Sequence, residues 1–173
     1  GKKFVSTISA CSSCPSGKYQ NQNNVASASC KYCTTGKEFD LATTPCTTCG
    51  SGRYQHQNDA ASVVCKFCAK GKKYVSGTAD CSDCSSGKYQ ESDSAELANC
   101  KFCATGTQFE SVTTLCSDCE PGKYQDKSNA PNVRCDFCTA NTEFKSISES
   151  CVPCAEGSYQ SQNDQPFATC IDF

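Results

Sequence analysis

The sequence predicts a small disulfide-rich fold, mostly irregular with short β-hairpins, built as an elongated tandem array of 35-residue repeats. Three observations carry this expectation. Nineteen of the 173 residues are cysteine, a fraction that marks a covalently stapled scaffold. The cysteines recur at one fixed step with no insertion or deletion, which is the signature of a linear array of small units. The hydrophobic fraction is only 37% with the cysteines included, too little for one large core. A TIM barrel, a Rossmann domain and a helical bundle are thereby excluded.

The step is read directly from three series: Cys11, Cys46, Cys81, Cys116 and Cys151; Cys14, Cys49, Cys84, Cys119 and Cys154; and Cys30, Cys65, Cys100, Cys135 and Cys170. It divides the chain into a partial unit (1–11), four full repeats (12–46, 47–81, 82–116 and 117–151) and a terminal half repeat (152–173). Each repeat has two related halves. The longer runs from Cys14 through Gly17, Tyr19 and Gln20 to Cys30, and recurs from Cys49, Cys84, Cys119 and Cys154. The shorter runs from Cys33 through Gly36 and Phe39 to Cys46, and recurs from Cys68, Cys103 and Cys138.

Each element has a local reason. The glycine slot of the shorter half holds Gly36, Gly71 and Gly106, and then Asn141. Asn is the residue that best replaces Gly in a left-handed backbone, so a positive φ is expected there. Turn formers align midway through the longer half: Asn23-Asn24, Asn58-Asp59, Asp93-Ser94, Ser128-Asn129 and Asn163-Asp164. They predict a strand–turn–strand hairpin in that half. No segment keeps a 3.6-residue apolar period, so helix is not expected. Fourteen of the sixteen aromatics fall in repeat slots, Phe167 and Phe173 being the exceptions. Those that follow each Gly by two or three residues are expected to cover disulfides.

Two chemistries suit the cysteines. Cys11, Cys14, Cys30 and Cys33 have the spacing of a four-cysteine zinc site. That reading leaves the fifth site one ligand short, because Phe173 stands where the fourth cysteine belongs. It also leaves the shorter halves without a role. Pairing the cysteines that bound each half accounts for more: Cys14–Cys30, Cys33–Cys46, Cys49–Cys65, Cys68–Cys81, Cys84–Cys100, Cys103–Cys116, Cys119–Cys135, Cys138–Cys151 and Cys154–Cys170. Cys11 is then left over, unpaired in this segment. A crossed ladder (Cys11–Cys30, Cys14–Cys33 and onward) remains an alternative, since spacing alone does not fix connectivity. Disulfides on this scale require an oxidising compartment, so a secreted or cell-surface, extracellular location is expected. A signal peptide is expected to have been lost from the segment. The opening Gly1-Lys2-Lys3-Phe4 matches Gly71-Lys72-Lys73-Tyr74, so the sequence starts inside a unit, as a longer array or a head-to-tail fibre would.

The motif C-x-x-C-x-x-G-x-Y-Q, closed by C-x-x-C, resembles the ephrin-receptor-like cysteine-rich repeat. It is similar to the small modules of tumour necrosis factor receptor ectodomains. The likeness covers nearly the whole chain. It implies rod-like extracellular arrays with module-closing disulfides, and it is specific for architecture rather than function.

The remaining residues narrow the function. The only histidine, His56, stands in one copy of five, opposite Asn21, Glu91, Asp126 and Ser161, so no general base recurs. Asp80, Asp83 and Asp118 align with Ala10, Pro45, Ser13 and Thr48, so no calcium cage recurs. No enzymatic activity, metal or cofactor is expected. The net charge is −2 and no basic face is visible, so nucleic acid is not an expected partner. No apolar run is long enough for a membrane span. The uniform step favours a structural role, a rod or filament segment that self-associates head to tail. Binding of another extracellular protein as a receptor or adhesion ectodomain is the alternative, and Phe167 and Arg134 are its only hints. No Asn-x-Ser/Thr sequon occurs. Hydroxyls do recur three residues before the closing cysteine of the shorter half, at Thr43, Thr78, Thr113 and Ser148. These are candidate O-glycan sites of a glycoprotein.

Overall fold

A computed structural model describes all residues, 1–173. It holds no helix and twelve two-residue strands: β1 (Lys2–Lys3), β2 (Ser12–Ser13), β3 (Lys37–Glu38), β4 (Thr47–Thr48), β5 (Lys72–Lys73), β6 (Ser82–Asp83), β7 (Thr107–Gln108), β8 (Ser117–Asp118), β9 (Thr142–Glu143), β10 (Val152–Pro153), β11 (Ser158–Tyr159) and β12 (Ile171–Asp172). β1 pairs antiparallel with β2, β3 with β4, β7 with β8, β9 with β10 and β11 with β12.

The hairpins sit mainly in the shorter halves. In the first full one, Lys37 faces Thr48 and Glu38 faces Thr47, and the Cys49 N–H donates to the Gly36 carbonyl at 2.8 Å. The strand that opens just after the glycine is thus clamped to the link that follows the closing cysteine. The hairpin expected in the longer half is reduced in four copies to one bridge: Tyr19 with Lys31, Tyr54 with Lys66, Tyr89 with Lys101 and Tyr124 with Asp136. The excursion beyond the bridge contains left-handed residues, among them Ser62, Leu97, Asn132 and Phe167 at φ of 51–54°. That conformation turns the chain out of a pleated ladder. Only the fifth longer half extends the bridge into a strand pair, β11 with β12.

Nine disulfides bracket the halves: Cys14–Cys30, Cys33–Cys46, Cys49–Cys65, Cys68–Cys81, Cys84–Cys100, Cys103–Cys116, Cys119–Cys135, Cys138–Cys151 and Cys154–Cys170. Cys11 is free and exposed. The interior is built around these bonds. The largest fully buried side chains are Cys33, Cys68, Cys103 and Cys138, each opening a shorter half.

The chain divides into two compact units. One comprises residues 1–82 with 93–99, the other 83–92 with 100–173. The division falls inside the Cys84–Cys100 loop, not at a repeat boundary. In the first unit Tyr54 and Tyr74 pack on Cys68, Cys81 and Ala98. In the second, Tyr89 and Val133 close over Cys103, with Phe109 and Cys116 beside them. The aromatics therefore cover half-cystines, and each cluster joins a shorter half to its neighbours.

Candidate functional site

The feature that recurs with chemical regularity is the joint between consecutive halves. From each shorter half to the next longer one, an aromatic N–H donates to the carbonyl two residues before the closing cysteine. The bonds are Phe4 to Ala28, Phe39 to Val63, Tyr74 to Ala98, Phe109 to Val133 and Phe144 to Ala168, at 2.7–2.9 Å. From each longer half to the next shorter one, a glutamine N–H donates to the carbonyl four residues before the closing cysteine. These bonds are Gln20 to Ala42, Gln55 to Gly77, Gln90 to Val112 and Gln125 to Ile147, at 2.9–3.0 Å. The glutamine carbonyl is used as well. It accepts the glycine-slot N–H of the preceding shorter half, at 2.7 Å for Gly36 to Gln55, Gly106 to Gln125 and Asn141 to Gln160.

The glutamine side chains are buried in all five copies, at 3–6% exposure. A buried amide is tolerated only when its polar ends are paired. Gln55 Nε2 donates to the Thr34 and Lys37 carbonyls while its Oε1 accepts the Gln57 N–H. Gln125 repeats this with Ala104, Thr107 and Lys127. At Gln90 and Gln160 the amide is turned over, Nε2 donating to Ser92 and Gln162, which leaves Oε1 without a donor. Exchanging the two ends restores the arrangement of Gln55 and satisfies both.

A third contact links successive longer halves. A Cβ built on Gly122 would lie 2.6 Å from the Phe167 nitrogen and from Pro166 Cα. Gly17, Gly52 and Gly87 are occupied in the same way by Ala61–Ser62, Glu96–Leu97 and Pro131–Asn132. The residues that enter these notches, Ser62, Leu97, Asn132 and Phe167, are the left-handed ones. Glycine is needed in the notch for space and for its own φ, +83° at Gly122. In the shorter-half slot, Gly36, Gly71 and Gly106 have φ of 76–79° and Asn141 63°, so Asn takes up the left-handed backbone there.

The surface of the longer half carries a cation over each spacer aromatic. Lys18 lies over Tyr32, Arg53 over Phe67, Lys88 over Phe102 and Lys123 over Phe137, at 4.1–5.6 Å from the ring centre. Arg53 also donates to the Cys65 carbonyl at 2.6 Å. In the fifth copy both partners change together, to Ser158 and Asp172. The paired loss is a sequence signal for the contact, although neither series alone reveals it.

The candidate residues fall as follows. The cysteines of a four-ligand zinc reading are engaged otherwise: Cys14 is bonded to Cys30 and Cys33 to Cys46. His56 stacks on Tyr54 at 5.8 Å. Asp80 accepts the Cys81 N–H at 2.8 Å; the Tyr54 hydroxyl and that N–H hold its carboxyl below the usual range. Burial, and then Asp80, push the Tyr54 hydroxyl up. Asp118 sits in β8 opposite Thr107. Phe167 meets Phe144 edge-on at 5.5 Å, and Phe173 stacks on Tyr159 at 5.0 Å. Arg134 lines a groove of about 380 Å³ with Tyr124, Lys127 and Asp136 in the fourth longer half. Thr43, Thr78, Thr113 and Ser148 are all exposed. Thr78, Thr113 and Ser148 pair their hydroxyls with Ser76, Ser111 and Ser146 at 3.2–3.5 Å.

No family model matches the chain, and no curated protein matches it. What the residues define is therefore a class of construction: repeated disulfide-rich modules of a cysteine-rich structural or ectodomain segment, joined by the same bonds at every step.

Proposed function

We propose that this chain is a non-enzymatic extracellular structural protein, a disulfide-stapled rod or filament segment of the kind built from ephrin-receptor-like repeats. The observation that carries the reading is the joint. Each half-module donates the same backbone bond to the next, and each longer half buries the same glutamine. A unit that docks its successor identically at every step propagates one rise and one twist, which suits a spacer or fibre. Nine disulfides support a secreted or cell-surface setting.

Small-angle scattering of the oxidised protein tests this. A compact chain of this length has a radius of gyration of about 16 Å. A value well above that is expected, and one near it would contradict the rod.

A second reading, an ectodomain that binds a protein ligand, draws on the groove beside Arg134. It departs from the repeat: the corresponding groove at Tyr54 and His56 is only about 50 Å³. O-linked sugars at Thr43, Thr78, Thr113 and Ser148 would fit either reading, shielding a thin module from proteases. Intact mass of the native protein is the check. A mass equal to the bare 18.4 kDa chain less the disulfide hydrogens would exclude the sugars.

A further inference from the structure

The joint that recurs along the chain is left half-made at two places, and the two halves are complementary. The first is the fifth longer half. Its glycine, Gly157, keeps the notch conformation at φ +85°, yet nothing lies within 4 Å of the position a Cβ would take. The Gln160 N–H, whose counterparts all donate to a following carbonyl, donates to none. Phe173 is 92% exposed on the outer side of Tyr159.

The second place is the first longer half and the residues before it. Ala26–Ser27 align with the pairs that fill the notches, but no glycine notch lies upstream of them. Ser27 is the one member of its slot that is not left-handed; Ser62, Leu97, Asn132 and Phe167 all are. Thr7 aligns with Ala42, Gly77, Val112 and Ile147, whose carbonyls accept the glutamine N–H in the intact joints. Cys11 holds the slot of the cysteine that closes a shorter half, and Phe173 the slot of the cysteine that opens one.

Charge separates the same two regions. Residues 1–35 hold four lysines and no acid, while residues 141–173 hold five acids and one lysine. Surfaces of opposite sign steer association and suppress like-to-like pairing.

We propose that the face formed by Gly157, Gln160 and Phe173 seats the first longer half of a second copy of this chain. Ala26–Ser27 enter the Gly157 notch, the Gln160 N–H bonds the Thr7 carbonyl, and Phe173 lies against Cys11 where a disulfide sits in the intact joints. The contact is heterologous, so it repeats and generates filaments. This deepens the structural reading above and rests on it.

Sedimentation velocity of the oxidised chain over a concentration series tests the contact. Concentration-dependent growth to long species is expected at 20 mM salt, with apparent affinity falling at least tenfold at 500 mM as the charges are screened. The variant Gly157→Asn keeps the left-handed backbone, as Asn141 does at φ 63°, but fills the notch. It is expected to remain monomeric, while Gly50→Asn, placed where nothing lies within 4 Å and outside both faces, assembles like the parent. Ala26→Trp blocks the opposite face. Each blocked variant keeps one open face, so an equimolar mixture is expected to stop at a heterodimer. Growth undiminished in Gly157→Asn, or a mixture that forms no heterodimer, would overturn the contact. A parent chain that stays monomeric at every concentration would overturn it too. With a large radius of gyration that last result leaves the structural reading standing, whereas a compact monomer removes both.

Discussion

Full reduction of the nine disulfides is expected to unfold the protein completely at room temperature, with loss of its circular dichroism and of its resistance to trypsin. Twelve hydrophobic residues are buried, and seven of them are half-cystines; the others are Val63, Tyr89, Ala98, Val133 and Ala168. Two of those five are alanines, so the apolar side chains supply little on their own. Closing a loop of about 15 residues removes about 3 kcal/mol of unfolded-state entropy in the chain-entropy model. Nine loops, even with incomplete additivity, exceed the roughly 5–15 kcal/mol by which domains are ordinarily stable. The order of reduction is also expected to follow burial. Cys33, Cys68, Cys103 and Cys138 are at most 1% exposed, so a thiolate reaches the shorter-half bonds last. Pulsed alkylation during graded dithiothreitol treatment, read by peptide mapping, should label Cys14, Cys30, Cys84 and Cys100 before Cys33 and Cys103. A reduced chain that kept its native spectrum would show that the hydrogen-bonded joints suffice without the disulfides.

How much of this was legible in the residues follows from what each signal depends on. Cysteine spacing reports a covalent event between two positions and survives with little tertiary context. The glutamine slot was equally visible as a repeat, but its burial was not. Gln is ordinarily exposed, and only the facing carbonyls of Thr34 and Lys37 make it an interior residue. The hairpin was assigned to the wrong half because Asn23-Asn24 and their counterparts have turn chemistry. Some of that chemistry marks isolated left-handed kinks, such as Asn24 and Asn129. The actual ladders use Lys37–Glu38 and Thr47–Thr48, short polar pairs with no strand pattern of their own. The notch partner of Gly17 lies 45 residues away, at Ser62, a distance that crosses the repeat step and leaves no local trace.

Gly122→Ala is the point substitution expected to cost most among the glycine changes, about 3 kcal/mol or more. Two terms combine. A non-glycine residue in the left-handed region loses about 1 kcal/mol or more. The added methyl then meets backbone rather than a pliable side chain, since Phe167 N and Pro166 Cα lie 2.6 Å from the new atom. Relief requires residues 166–167 to move. Cys154–Cys170 closes the loop that carries them, and the bond from the Phe144 N–H to the Ala168 carbonyl anchors its far side. Overpacking against such an anchored segment costs a further 1–3 kcal/mol or so. Gly157→Ala separates the two terms within the same protein. Its φ is +85° but its notch is empty, so it bears the conformational term alone and is expected to lose only about 1 kcal/mol. Urea denaturation of the oxidised variants, at concentrations low enough to keep the parent monomeric, measures both. Equal losses at the two positions would mean that the notch contact contributes nothing and that glycine is kept there for its backbone alone.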